Sequence, residues 1–214
     1  MNIKKSYNYL FRWFKRKHFI DCGAHIGESI LYAQHVFGKN IRSYSFEAIP
    51  KLADNLKTAY SNNTDIKVFN NIVWIKNEVK KIYCSKEFTD GSSVYHEKKT
   101  GGLDKNVSIE VTAINLSEWI RSNFKKTDFI ILKLDIEGAE YEVLNKLITD
   151  GTIEYINILC GEFHCDKIDT KRMRFLKNKI DIYFNKNKIN FYTWECINTK
   201  SLTGTLACRP KTLA

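Results

Sequence analysis

The segment FIDCGAHIGES, Phe19 to Ser29, runs from apolar residues into an acid and then through two glycines four positions apart. A glycine turn between a strand and a helix lets backbone N–H groups and the helix N-terminus receive an anionic part of a ligand. Dinucleotide folds place G-x-G-x-x-G there, because the second glycine lets the backbone approach a pyrophosphate. Here His25 stands where that second glycine would be, so the turn formed by Asp21, Gly23, Ala24, His25 and Gly27 disfavours a pyrophosphate. S-adenosylmethionine has a carboxylate and no phosphate, and fits such a turn better. Twenty residues after Gly27, Glu47 closes the run SYSFE. A carboxylate at that place can accept hydrogen bonds from both hydroxyls of an adenosine ribose. The order strand, turn, helix, strand, acid points to nucleoside binding.

Two further acidic stretches follow. In FIILKLDIEGAEYEVL an apolar run ends at Asp135, with Glu137, Gly138 and Glu140 crowding the next turn. Asp135 leaves the carboxyl edge of the sheet, where open α/β folds bind ligands, and can hold a cationic donor or orient a hydroxyl. Glu140 opens a helix and is read as structural, since the helix dipole favours acids there. In YINILCGEFH, alternation puts Cys160, Glu162 and His164 on one face. His164 is either a surface histidine past the strand or a general base or substrate ligand. At its ordinary pKa of about 6.5 it can take a hydroxyl proton near neutrality. Asp135, Glu137 and His164 are therefore the catalytic candidates, with Glu162 as a substrate contact. In TDGSSV, Gly91 gives backbone freedom and Ser92 and Ser93 give hydroxyls, so a loop over the site is expected, its serines meeting donor or acceptor.

These residues need a scaffold that brings strand ends together. Apolar runs at His18–Cys22, Ile41–Phe46, Ile66–Phe69, Val107–Val111, Phe129–Leu134, Tyr155–Gly161, Phe191–Cys196 and Thr205–Cys208 alternate with helical periodicity, the pattern of an α/β fold with a largely parallel sheet. Helices are expected at Ala139–Thr149, with Val143, Leu144, Leu147 and Ile148 as its stripe, and at Thr170–Phe184, with Met173, Leu176, Ile180 and Phe184 on one face. Asn115 with Glu118 suggests a capping box. Residues 75–106 hold one possible strand, Lys81–Cys84, in a long polar stretch of the kind that often carries function.

Composition bounds the rest. A chain of 214 residues with 43% hydrophobic and 27% charged residues reads as one globular domain, 18–214, behind a basic amphipathic segment, 1–17. In that segment Tyr7, Leu10, Phe11 and Phe14 fall at helical spacing, as a helix on the core or on a membrane or partner. No run reaches the roughly 18 apolar residues of a membrane span, and the N-terminus lacks the apolar middle of a signal peptide, so a cytoplasmic protein is expected. The six cysteines include no C-x-x-C pair, which reads as free thiols. Cys160, His164 and Cys165 fall short of a tetrahedral zinc set, and no metal is expected. A net charge of +10 favours an anionic partner in general, nucleic acid, an acidic glycan or a membrane surface. Nothing fixes an oligomeric state.

FIDCGAHIGES, SYSFEAIP, GSSV and LKLDIEGAEYEVL together resemble the successive motifs of the FkbM-type methyltransferase family, over about Lys17 to Cys165. The resemblance implies a Rossmann-like class I methyltransferase with a mostly parallel seven-stranded sheet and helices on both faces. It implies an S-adenosylmethionine-dependent O-methyltransferase whose small-molecule or glycan acceptor offers a sugar hydroxyl. Asp21, Gly23, Ala24 and Gly27 would form the donor loop, Glu47 would hold the ribose, and Asp135 to Glu140 would border the reaction centre. His25 replaces the family's usual Asn, and Val73 stands at the position of its small residue after the third strand. Two other readings stay open. One is a nucleic-acid ribose methyltransferase, suggested by the charge and by Tyr9, Trp13 and Phe14 among basic residues; the other is a non-catalytic binding module.

Overall fold

The computed structural model describes residues 16–85, 91–99, 102–164, 167–168 and 170–194. In chain order the elements are β1 (Lys17–Cys22), α1 (Glu28–Phe37), β2 (Arg42–Phe46), α2 (Pro50–Ala59), β3 (Ile66–Phe69), β4 (Ile72–Trp74), β5 (Glu78–Tyr83) and β6 (Ser108–Asn115). They continue as α3 (Leu116–Asn123), β7 (Phe129–Leu134), α4 (Glu140–Thr149), β8 (Ile156–Gly161), α5 (Lys171–Asn187) and β9 (Phe191–Thr193).

Six strands build the main sheet in the order β3-β2-β1-β7-β8-β9, every pair parallel. The sheet expected to have seven strands thus has six among the described residues. The run at Thr205–Cys208, the end of the run at Phe191–Cys196 and the segment 1–15 lie outside them. The run expected as a strand at Val107–Val111 becomes β6 and leaves the main sheet. It pairs in parallel with β4 and antiparallel with β5 in a second, three-stranded sheet. Near the start of the polar stretch 75–106, where a strand was expected at Lys81–Cys84, β5 occupies Glu78–Tyr83.

Alternation along the buried strands divides the side chains between two faces. Phe19 and Ile131 meet Ala33, Val36 and Phe37 of α1 on one face. Ile20, Ile130 and Leu132 meet Leu116, Leu144, Leu147, Leu176 and Ile180 of α3, α4 and α5 on the other. The expected stripe of α5, Met173, Leu176, Ile180 and Phe184, is buried throughout, and Thr170 caps that helix by accepting from the Met173 N–H at 3.1 Å. Half of the expected capping box forms at α3, where Asn115 accepts from the Glu118 N–H at 3.3 Å. Asn77 supplies the other half, its Oδ1 accepting from the Asn115 N–H at 2.8 Å while its amide donates to Glu118. Among the described residues no helix is long and apolar enough to cross a membrane.

The chain moves outward from β1 through β2 and β3, and outward the other way from β7 through β8 and β9. Such a reversal opens a crevice at the carboxyl ends of the strands. Register aligns those ends: Cys22 lies beside Leu134, and Leu134 beside Gly161. A Cβ at Gly23 would sit 1.9 Å from the Asp135 carbonyl oxygen, and one at Gly161 would sit 1.8 Å from that of Leu134. Both glycines, at φ +88° and +141°, are what allows the three strand ends to converge.

Candidate functional site

A cavity of about 360 Å³ opens at this convergence, within the range of small-molecule sites. Gly23, Ala24 and His25 after β1, Glu47 after β2 and Val73 in β4 line one part of it. Asp135 and Glu137 after β7, Glu162 and His164 after β8, and Ser92 from the 91–99 segment line the other. Three of the expected residues, Asp21, Gly27 and Ser93, do not line it.

Asp21 serves the turn from beneath. It is fully buried, accepts from the Ser29 hydroxyl, and lies 3.3 Å from the Lys133 ammonium. Lys133 is its direct cross-strand neighbour on β7. The same ammonium donates to the Gly23 carbonyl at 2.9 Å and lies 3.4 Å from Asp135 Oδ2, so one cation ties the glycine turn to the end of β7. Burial alone would lower the Lys133 pKa, but Asp21 and then Asp135 more than offset it and hold the ammonium above its ordinary range. Lys133 was hidden in the sequence only by its apolar neighbours. A lone lysine inside the buried run FIILKL, two residues before an acid on the same face, signals a paired charge.

Glu47 is almost fully buried and faces the cavity with its orientation fixed. Oε2 accepts from the His25 N–H at 2.7 Å and Oε1 from the Ile49 N–H at 2.8 Å. His25 turns this N–H inward from a left-handed backbone, φ 49°, which histidine tolerates better than most side chains. A carboxylate has about four acceptor positions, so each oxygen keeps one for a ligand hydroxyl. Burial holds the Glu47 pKa above its ordinary value, against the lowering effect of the hydrogen bonds from the Ile49 and His25 amides. Ile49, Leu52, Ile72 and Val73 give this part of the cavity an apolar lining suited to a flat heterocycle.

The other part is polar. Glu140 is fully buried and gathers the D-x-E-G-x-E turn by accepting from the Ile136 N–H at 2.9 Å and the Gly138 N–H at 3.0 Å. It also holds His164, whose Nδ1 lies 3.0 Å from its Oε1. The structural reading of Glu140 therefore gains a second duty, orienting an imidazole. His164 is 1% exposed, which removes its reading as a surface histidine. Its Nε2 faces Asp135, Glu137 and Glu162 at 3.8, 3.7 and 3.7 Å. Burial alone would lower its pKa, but Glu140 and then Glu137 and Asp135 raise it above the ordinary value, so the expectation of an unperturbed imidazole fails.

Glu137 takes a left-handed backbone at φ 54°, an uncommon conformation for a residue other than glycine and one that clusters at functional sites. Lys98, buried, pairs with its carboxylate at 2.6 Å and also donates to the Gly91 carbonyl at 2.6 Å. Burial would raise the Glu137 pKa, but Lys98 and then His164 hold it below the usual carboxylate range. Ser93 donates to the Glu137 carbonyl at 2.7 Å. The 91–99 segment is thus latched to the D-x-E-G-x-E turn through Ser93 and Lys98, while Ser92 reaches the cavity. Cys22, Cys84 and Cys160 are free and buried; the other three cysteines lie outside the described residues.

A parallel sheet in this strand order, with a glycine turn and a strand-end acid at its switch point, defines a Rossmann-like α/β protein. Residues 21–185 match the Methyltransferase FkbM domain, more than half of the 214-residue chain, and the chain belongs to that family. Among solved structures, methyltransferase FkbM from Methylobacillus flagellatus KT is similar at 18% identity and a TM-score of 0.39, over 63% of this chain and 30% of that one. This chain thus spans less than a third of that relative's length. No curated protein sequence matches it.

Proposed function

We propose that the chain is an S-adenosylmethionine-dependent O-methyltransferase acting on a sugar hydroxyl of a glycan, glycolipid or glycosylated metabolite. The observation that carries this reading is Glu47, turned into the cavity by two backbone amides with one acceptor position left on each oxygen. Glu47 would hold the ribose hydroxyls, Val73 and its apolar neighbours the adenine, and the turn at Gly23 to His25 the methionine end. When bound, this cofactor supplies an electrophilic methyl group on a sulfonium sulfur.

At the polar end, Asp135, Glu162 and Ser92 would orient an acceptor hydroxyl toward the methyl group that the cofactor supplies. The hydroxyl proton would pass to the cluster of His164 and its carboxylates, which Glu140 and Lys98 keep in place. The acids and hydroxyls of this wall offer hydrogen-bond partners to an acceptor rich in hydroxyl groups. The sugar itself is supported by the family resemblance, and a cytoplasmic place of action remains part of the same reading.

Transfer of labelled methyl from S-adenosylmethionine to a panel of glycosides and to RNA tests this. Label is expected as an alkali-stable methyl ether on a glycoside. Label confined to RNA, with strong loss as salt is raised, would favour the ribose reading.

A further inference from the structure

His164 presents its two ring nitrogens to different surroundings. Nδ1 is held at 3.0 Å by Glu140, itself fully buried and anchored by turn amides. Nε2, on a side chain only 2% exposed, makes no hydrogen bond among the described residues, its nearest carboxylate oxygens standing at 3.7 to 3.8 Å. An imidazole nitrogen that faces three carboxylates, each beyond direct hydrogen-bond distance, stands where a shared cation would sit between them.

We infer that Asp135, Glu162 and His164 form a site for a divalent cation, of the oxygen-preferring kind that accepts one imidazole, such as Mn2+ or Mg2+. Each residue offers one ligand atom, and these atoms lie within 4.8 Å of one another. Around an octahedral ion with ligands at about 2.1 Å, ligand atoms are separated by roughly 3 to 4.2 Å, so side-chain rotation of a few tenths of an ångström closes the set. The outer contacts fit as well. A metal-binding histidine ordinarily directs its other ring nitrogen to a carboxylate, which fixes the tautomer and ring orientation, and Glu140 stands in that place. Asp135 divides its oxygens, Oδ2 toward Lys133 and Oδ1 toward His164. Glu137 is withheld from the ligand set by its 2.6 Å pair with Lys98.

Charge points the same way. Asp21, Asp135, Glu137, Glu140 and Glu162 face only Lys133, Lys98 and Lys167 as fixed positive groups here. The carboxylates therefore outnumber the ammonium groups, five to three, and a divalent ion offsets that excess. With one imidazole and two carboxylates, the set suits Mn2+ or Mg2+ better than the nitrogen- and sulfur-rich sets typical of zinc. Glu162 is largely exposed, and the cavity leaves room for further oxygen ligands. Those positions would take oxygens of the acceptor, and with Nε2 on the ion the hydroxyl proton would pass to a carboxylate of the cluster rather than to His164; both statements rest on the methyl-transfer reading, and ion binding itself does not.

The test uses the full chain, stripped with chelator and titrated with Mn2+ near neutral pH without donor or acceptor, following free Mn2+ by electron paramagnetic resonance. One Mn2+ per chain is expected. Glu162→Gln, at an exposed side chain whose loss leaves the core intact, is expected to weaken binding by at least about 10-fold. Thermal melting checks that the variant is folded. Absence of retained Mn2+ at millimolar concentration, or unchanged binding in Glu162→Gln, overturns the site. Because no methyl donor is present, either result is independent of the outcome for methyl transfer.

Discussion

Replacing Lys133 with methionine is expected to cost about 3 to 5 kcal/mol of folding stability, the penalty for leaving one partner of a buried ion pair uncompensated. Methionine keeps the volume of the lysine stem but removes the ammonium between Asp21 and Asp135. Asp21, fully buried, would then retain only the Ser29 hydroxyl, and the Gly23 carbonyl would lose its donor. Urea unfolding followed by far-ultraviolet circular dichroism measures the loss. Asp21→Asn combined with Lys133→Met should recover part of it, because the orphaned charge is then removed as well. A cost below about 1 kcal/mol, in the range of exposed pairs, would show that the two groups do not act as a buried pair.

His164→Ala is expected to lower turnover by roughly 100- to 10,000-fold while leaving donor affinity within a few-fold. The side chain pairs with Asp135, Glu137 and Glu162, whereas Glu47 is held by the His25 and Ile49 amides and would carry the donor under the proposed function. Its loss should therefore fall on the chemical step. Turnover on an identified acceptor, with calorimetric donor affinity for the same preparation, makes the comparison. Near-normal turnover in a folded variant would show that the step needs His164 neither as a proton acceptor nor as the holder of an ion.

The residues that face the cavity were the more legible ones. Gly23, Glu47, Asp135 and His164 each follow the end of an apolar strand, and strand ends on one edge of a parallel sheet must meet. What stayed hidden depends on register and on distant pairing. Asp21 looked like a ligand group because it ends an apolar run, yet alternation turns it toward the face of Phe19, where β7 presents Lys133. Ser93 looked like a ligand hydroxyl, yet it latches its segment to the Glu137 carbonyl across 44 positions of sequence. The second sheet was missed for a similar reason. β4 has only three residues, and its partner β6 lies beyond a long polar stretch, so local periodicity cannot reveal the pairing. Asn77 shows the same limit at α3, where it completes from 38 positions away a cap that Glu118 was expected to close.

The central claim is that the crevice around Glu47 receives the nucleoside of the methyl donor, and calorimetric titration of the full chain with S-adenosylhomocysteine tests it most directly. One molecule per chain is expected to bind. Glu47→Ala should weaken binding by about 1.5 to 3 kcal/mol, the range for hydrogen bonds to a charged group, or about 10- to 150-fold. Absence of binding by the wild-type chain, or unchanged affinity in a folded Glu47→Ala variant, would contradict it.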